Sequence, residues 1–158
     1  MKRLWSPWRM EYIQHSTPKD ECPFCTALTS STPSDHFLVH KGEKAFVILN
    51  RYPYTTGHLL ILPLEHRENM TELEPETRAE MMELINYALS VLETIYHPEG
   101  FNIGLNMGEA AGAGIPKHLH WHIVPRWAGD TNYMTAVGEI RVMPETLQDS
   151  YQKIKTAW

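Results

Sequence analysis

The sequence has no long apolar run and no run of basic residues, and each absence narrows the class of protein. No apolar stretch is long enough to cross a bilayer, and residues 1–8 lack the apolar core of a signal peptide. We therefore expect a cytoplasmic protein without a membrane partner. The formal charge of −5, with no cluster of Lys or Arg, argues against a surface that coats nucleic acid.

Cysteine is also scarce, because the chain has only Cys22 and Cys25, separated by two residues. In a reducing compartment, such a pair indicates a metal half-site or a redox motif before it indicates a structural disulfide. A thioredoxin-like redox role lacks the βαβ context that it requires. Two free cysteines on a short turn are the remaining alternative.

The length and composition of the chain predict one domain with a substantial core. It has 158 residues, of which 42% are hydrophobic and 21% are charged, which is ordinary for a globular protein. We expect a single domain, 1–158, without an internal linker. It comprises an N-terminal extension with the cysteine pair (1–35), a core (36–130) and a C-terminal segment (131–158). In the extension, Ser6 and Pro7 predict the start of a short helix, and Trp5 and Trp8 are expected to be packing anchors.

Apolar patterning predicts a set of strands and two helices. From Pro75 to about Tyr96, apolar residues recur at three- and four-residue steps, which is typical of an amphipathic helix. Pro144 is expected to open a terminal helix. The run 58–63 is almost continuously apolar and suits a central strand buried on both faces. The predicted strands are 37–40, 45–49, 58–63, 101–106 and 117–125.

The most informative stretch places His118, His120 and His122 at alternate positions. This period is that of a β-strand, so the intervening apolar residues can face a core while the imidazoles share the opposite face. Three interpretations are open. The strand is a histidine-rich surface, a metal site, or a nucleophilic imidazole flanked by supporting imidazoles.

The loop before these histidines favours the nucleophilic interpretation. In Gly112, Ala113 and Gly114, the lack of bulky side chains lets backbone N–H groups approach an anion. A loop of this kind joined directly to a row of histidines indicates phosphoryl or nucleotidyl transfer. The loop amides would then stabilise charge on the non-bridging oxygens.

Residues 118–124 resemble the alternating histidine signature of the histidine triad (HIT) family. Residues 46–63, with Asn50 and His58, resemble the first nucleotide-binding segment of that family. The order of strands, long helix, glycine-rich loop and histidine strand also agrees. The segments 5–9, 111–116 and 125–132 resemble a bacterial branch that includes diadenosine tetraphosphate (Ap4A) phosphorylases.

The resemblance implies an α+β fold, the HIT fold. This fold has an antiparallel sheet of about five strands, one long helix and a short C-terminal helix. It also implies a homodimer in which the sheets of two protomers join.

The resemblance further implies nucleotidyl transfer on a dinucleoside polyphosphate. His120 would form a covalent nucleotidyl–histidine intermediate, and His122 would hydrogen-bond the α-phosphate or help to orient the site. His58 would support the triad through hydrogen bonding. Asn50 would bind the ribose hydroxyls, and Asn106 would reach the phosphate or the leaving group. The polyphosphate would carry a divalent cation. The residues expected to bind the nucleotide are Asn50, Asn106, Gly112, Ala113, Gly114, Ile115 and His122.

The loop 112–116 departs from the Gly-Gln-Ser-Val or Gly-Gln-Thr-Val sequence of many family members, so no hydroxyl side chain sits beside the phosphate. A roomier loop favours inorganic phosphate as the acceptor, which describes a phosphorylase. One alternative is a hydrolase that uses water on dinucleoside polyphosphates or nucleoside phosphoramidates. Another is a zinc-stabilised nucleotide-binding module without turnover.

Some family members build a zinc site from a similar cysteine pair, a histidine after the central strand and the first histidine of the triad. The resemblance therefore implies that Cys22, Cys25, His66 and His118 bind zinc. Four protein ligands leave no position for water or substrate, so this zinc would be structural.

Overall fold

The computed structural model describes residues 22–138 and 142–158. The helix predicted at Ser6 and Pro7 and the packing predicted for Trp5 and Trp8 lie outside the described residues. Within the described ranges, no helix is both long enough and apolar enough to span a bilayer.

The centre of the fold is an antiparallel sheet of five strands in the spatial order β1-β2-β3-β5-β4. All five residues of β3 are buried, as the apolar run in the sequence predicts for a central strand. The strands are β1 Leu38–Lys41, β2 Ala45–Leu49, β3 Leu59–Pro63, β4 Gly100–Leu105 and β5 Trp121–Arg126.

Among the residues that the structure describes, four α-helices accompany the sheet: α1 Pro23–Thr29, α2 Pro75–Tyr96, α3 Tyr133–Gly138 and α4 Leu147–Ala157. The long helix α2 has the predicted bounds. It ends because His97 adopts a left-handed conformation with φ 46°, and its N–H donates to the Glu93 carbonyl. The terminal helix α4 begins after Thr146, whose side chain caps it by accepting from the Asp149 N–H.

Two apolar clusters cover the two faces of the sheet. On one face, α2 and α4 pack over the strands, so that residues such as Leu59, Met81 and Ile154 are fully buried together. On the other face, Phe24 of α1 packs with Phe46 and neighbouring apolar residues. The α+β architecture predicted from the sequence is therefore confirmed, and the histidine segment lies between these clusters.

The predicted histidine strand is only partly correct, because β5 begins at Trp121 and not at Lys117. The pairing of β3 with β5 stops at Ile61 and Trp121, and the Leu119 N–H donates instead to the Arg67 carbonyl at 2.7 Å. The backbone at Leu119 is therefore no longer paired with β3. The alternation of faces survives nonetheless: Leu119 lies in the cluster under α2, whereas the ring of His118 contacts the aromatic rings of the opposite cluster.

Replacing Ile61 with Ala should test how far β3 supports the fold. Ile61 is fully buried, so its truncation leaves a cavity and should lower the free energy of unfolding by about 2–5 kcal/mol. Met82 on α2 is 51% exposed, so Met82→Ala should change the free energy of unfolding by less than about 0.5 kcal/mol. Chemical denaturation measures both, and equal effects of the two substitutions would contradict the burial pattern.

Candidate active site and metal centre

His120 is held just before β5 with one ring nitrogen committed to the backbone. Its side chain is 5% exposed, and Nδ1 lies 2.8 Å from the His118 carbonyl oxygen. Because a carbonyl oxygen can only accept, Nδ1 carries the proton, and Nε2 of the neutral ring keeps its lone pair. Burial lowers the pKa of His120, which favours that neutral form. The ring is therefore prepared to act as a nucleophile through Nε2.

His58 and His122 form a second imidazole pair, in which Nε2 of His58 lies 2.9 Å from Nδ1 of His122. The backbone N–H of Tyr54 donates to Nδ1 of His58 at 3.1 Å, so this nitrogen is an acceptor. The proton of neutral His58 is therefore on Nε2 and is donated to Nδ1 of His122. In turn, neutral His122 carries its own proton on Nε2.

The neighbourhood of His122 keeps its imidazole neutral. Burial and the nearby His120 lower the pKa of His122 to about 4, and the centroids of these two rings are 5.0 Å apart. The ring of Tyr54 stacks against His122 with an angle of 16° between the planes. A neutral His122 offers an N–H donor beside the lone pair of His120. A phosphoryl group can use both, because phosphorus accepts the lone pair and a phosphate oxygen accepts the hydrogen bond.

Next to this histidine pair, a cleft of about 1020 Å³ extends along β4. His122 and Asn106 both line it, together with Tyr54 and the side chain of Arg126. The Arg126 guanidinium donates to the carboxylate of Asp130 and holds the pKa of that carboxyl at about 2. Of the site histidines, His122 lines this cleft, so its imidazole faces the same space as these polar and charged side chains.

The glycine-rich loop is organised differently from the open anion-binding loop that the sequence suggests. A short 3₁₀ turn, Glu109–Ala111, precedes Gly112, which has φ 90°. The N–H groups of Gly112 and Ala113 donate to carbonyls of the same loop, those of Glu109 and Gly108. Gly112, Ala113, Gly114 and Ile115 do not line the cleft, whereas Asn106 does. Binding of nucleotide by the loop stays a prediction.

Four predicted metal ligands meet on the other side of His120. The ligand atoms of Cys22, Cys25, His66 and His118 all lie within 4.8 Å of one another. Cys22 caps α1 and Cys25 follows one turn later, whereas His66 comes after β3 and His118 precedes β5. Elements distant in sequence therefore converge on one point.

The donor chemistry of this cluster suits a metal ion. Nε2 of His118 donates to the Pro63 carbonyl at 3.0 Å, so the lone pair of the neutral ring is on Nδ1, which faces the sulfurs of Cys22 and Cys25 at 3.4 and 3.6 Å. Nδ1 of His66 lies 3.2 Å from the sulfur of Cys25. Two sulfurs and two imidazole nitrogens match a tetrahedral structural zinc site. Burial and the adjacent Cys22 raise the pKa of Cys25 to about 11, and a bound cation would favour its thiolate instead.

His118 connects the four-residue ligand cluster to His120. Its side chain belongs to the ligand cluster, while its carbonyl oxygen accepts from Nδ1 of His120. Phe24, between the two cysteines, packs against both imidazoles, with ring centroids 5.5 and 5.2 Å apart. A metal bound by His118 would therefore restrain the backbone group that orients His120.

The structure brings most of the predicted site residues together. Asn50 lies not in the cleft wall but against His58, with its amide nitrogen 3.2 Å from Nδ1. Two contributors were not predicted: Phe24, which packs on His118 and His120, and Tyr54, which stacks on His122. The sequence offered one signal for each: Phe24 lies between the two cysteines, and Tyr54 lies between Asn50 and His58.

A protein-family comparison agrees with this arrangement. The HIT domain model matches residues 31–129, which include the whole sheet and all three histidines of the triad. This chain belongs to the HIT family. The HIT fold implied by the sequence resemblance is therefore confirmed.

Individual relatives are similar to most or all of this chain. The "AP-4-A phosphorylase" of Mycobacterium tuberculosis is 34% identical over 100% of this chain and 85% of its own length. Adenylylsulfatase HINT3 of Arabidopsis thaliana is 28% identical over 75% of this chain and 62% of its own. A Zn-bound histidine triad family protein from Mycobacterium smegmatis superposes with a TM-score of 0.70 and 29% identity, covering 87% of this chain and 92% of that one.

The neutral state of His122 leads to a prediction about pH. Its pKa is lowered from 6.5 to about 4, so between these values the unfolded chain binds a proton that the folded protein does not. This group therefore makes the free energy of unfolding decrease as the pH falls from 6.5 towards 4. An NMR titration of the His122 ring should have its midpoint near pH 4, and a midpoint near 6.5 would contradict this environment. His122→Gln should reduce the loss of Tm between pH 7 and pH 5.

Metal analysis tests the four-residue cluster. The purified protein is expected to hold about one metal ion per chain. Cys25→Ser removes one sulfur ligand and should reduce the metal content by at least about tenfold under the same purification. Thr26→Ser is a matched control, because Thr26 is the exposed next residue and lies outside the cluster. Metal-free wild-type protein, or full metal content in Cys25→Ser, would contradict the assignment.

Proposed function

We propose that this HIT protein is a nucleotidyltransferase that cleaves a dinucleoside polyphosphate such as Ap4A through a covalent intermediate on His120. The observation that carries the proposal is the pairing of a lone pair on His120 with an N–H donor on His122, with 5.0 Å between the ring centroids. The identity of 34% to an "AP-4-A phosphorylase" along the whole chain supports this substrate class.

In the first step, Nε2 of His120 attacks the α-phosphorus of the bound dinucleotide. The P–O bond to the bridging oxygen breaks, ATP leaves, and an adenylyl–histidine remains. The Nδ1–H···O=C bond from His120 to His118 stabilises the positive charge that forms on the ring. His122 donates from Nε2 to a non-bridging oxygen, which holds the α-phosphate for in-line attack.

In the second step, inorganic phosphate attacks the same phosphorus and displaces His120. The P–N bond breaks, ADP forms and the free imidazole returns. The balance of the two steps is Ap4A and phosphate to ADP and ATP. Support for phosphate as acceptor comes from the loop 112–116, which offers no hydroxyl side chain, and from the phosphorylase relative.

Asn106, Asn50 and the loop residues Gly112, Ala113, Gly114 and Ile115 are proposed as nucleotide contacts, as the family resemblance implies. Asn106 has the most direct structural support, since it shares the cleft with His122. A divalent cation would screen the charges of the polyphosphate.

We further propose that the metal of the four-residue cluster is structural zinc. The S₂N₂ donor set and a Zn-bound structural relative support this identity. When bound, zinc would supply a fixed cross-link between α1 and the segment that carries His118, with no role in activating the nucleophile.

A homodimer is also part of the proposal. In the part of the chain that the structure describes, β4 pairs with β5 on one side only, and Asn102 and Ile103 on this edge strand are exposed. An open strand edge suits the joining of two sheets that the family resemblance implies.

The second candidate function is hydrolysis, in which the first step is the same and water replaces phosphate as the acceptor. The similarity to adenylylsulfatase HINT3 is the observation that favours it, because that name describes a reaction other than phosphorolysis.

Product analysis separates these reactions. Ap4A incubated with the protein and phosphate should give ADP and ATP in equal amounts, because phosphate resolves the intermediate. AMP in place of ADP, with or without phosphate, would support the hydrolase and contradict the phosphorylase. Mass spectrometry of the nucleotides and of the intact protein measures both the products and the adenylyl adduct.

His120→Asn is the control for the mechanism. Asn can replace the hydrogen bond to the His118 carbonyl but has no nucleophilic nitrogen, so turnover should fall by at least about 10⁴-fold while nucleotide binding persists. Retained turnover in this variant would exclude the covalent mechanism. Binding without turnover in the wild-type protein would instead support a nucleotide-binding module.

A further inference from the structure

The side chain of Asn50 has a fixed orientation. Its Oδ1 accepts from the Tyr52 N–H at 2.9 Å, and an N–H group can only be met by the oxygen of the amide. The two ends of the amide are thereby distinguished, and Nδ2 is the end that faces Nδ1 of His58 at 3.2 Å. Asn50 therefore presents a donor, and not an acceptor, to the imidazole.

We propose that Asn50 is a positioning residue that sets the tautomer of His58 and, through it, the tautomer of His122. Nδ1 of His58 faces two N–H donors, the Asn50 amide and the Tyr54 backbone. Both require a lone pair on this nitrogen. The ring proton is consequently on Nε2, where it is donated to His122. The kinetic consequence of this arrangement rests on the proposed function, whereas the tautomers themselves do not.

The opposite tautomer would disturb every contact in this chain of groups. A proton on Nδ1 of His58 would face the donors of Asn50 and Tyr54, and His58 is fully buried, so water cannot relieve the conflict. Nε2 of His58 would then be an acceptor, and His122 would need its proton on Nδ1. The Nε2 lone pair of His122 would remain, and it repels a phosphate oxygen instead of binding it.

The backbone fixes Asn50 and His58 relative to each other. Asn50 follows the last residue of β2, and His58 precedes the first residue of β3, where Leu49 and Leu59 are paired. The Asn50 N–H donates to the His58 carbonyl at 2.9 Å, which closes the connection 50–58 at its base. The donor geometry at His58 is thus part of the strand pairing and not a chance contact of two loop side chains.

This role makes a prediction that differs from ribose binding alone. A carboxylate at position 50 still accepts hydrogen bonds from ribose hydroxyls, but it demands a proton on Nδ1 of His58. A leucine binds neither group, yet leaves the Tyr54 N–H as a donor to His58. The positioning role therefore predicts that kcat is highest in the wild type, lower in Asn50→Leu and lowest in Asn50→Asp. A role confined to ribose ranks Asn50→Asp above Asn50→Leu.

NMR of the nucleotide-free protein tests the tautomers directly. In ¹⁵N-labelled wild type, His58 and His122 should both show a protonated Nε2 and an unprotonated Nδ1 at neutral pH. In Asn50→Asp, Nδ1 of His58 should gain a proton. Asn86→Asp is the matched control, since Asn86 is an exposed residue of α2, and it should keep the wild-type signals. A protonated Nδ1 in the wild type, or unchanged signals in Asn50→Asp, would overturn the proposal.

Kinetics with Ap4A and with an analogue that lacks the 2′- and 3′-hydroxyls provide the second arm. Asn50→Asp should lower kcat by about tenfold or more on both substrates, because the lost donor on His122 does not involve the ribose. A loss confined to KM for Ap4A, and absent for the analogue, would assign Asn50 to the ribose alone. If the wild type turns over neither substrate, the proposed function fails while the NMR result still decides the tautomers.

Discussion

The antiparallel pairing of β3 with β5 is the constraint on which the candidate site depends. It sets Leu60 opposite His122, so that His58, two residues before Leu60, reaches His122 across a sequence separation of 64 residues. The same pairing ends at Trp121. The preceding residues are therefore not paired with β3, and the side chains of His118 and His120 face α1. A slip of one residue in this register would move His122 to the helix-covered face and leave His58 without its partner.

The three histidines of the triad share a face but not an environment. His118 offers Nδ1 to two sulfurs, His120 keeps a lone pair on Nε2, and His122 carries its proton on Nε2. In each ring, the partner of one nitrogen determines the chemistry of the other. The partners are a backbone carbonyl for His118 and His120, and a second imidazole for His122. Equal spacing in the sequence therefore gives three different chemical groups.

The sequence predicted the fold closely where periodicity is strong. Helix α2 has the predicted bounds, and the run 58–63 contains β3. The convergence of the cysteines, His66 and His118 has a different source, since the family resemblance implied it and periodicity did not. The sequence did not predict the late start of β5, because that depends on the Arg67 carbonyl, which is distant in sequence. It also missed α1, whose seven residues are too short for a helical period to be visible.

The glycine-rich loop shows why composition alone is a weak guide to an anion site. Small residues permit backbone amides to face a ligand, but they equally permit a tight turn in which Gly112 and Ala113 donate to neighbouring carbonyls. Whether an amide points inwards depends on φ and ψ, which composition does not fix. The contact of Tyr54 with His58 was not predicted, because it uses a backbone N–H that any residue could supply. Here too, the identity of the residue does not determine the direction of its backbone amide.

Gly104 lies directly across the sheet from His122, and opposed residues of an antiparallel pair project to the same face. A Cβ at this position would meet no atom within 4 Å, so the space beside the imidazole is vacant because no side chain grows into it. Gly104 lines the cleft with its backbone alone, so a side chain at this position would extend into the open space beside His122. A larger residue at position 104 would therefore narrow the cleft beside His122 while leaving the hydrogen bonds of the imidazoles unchanged.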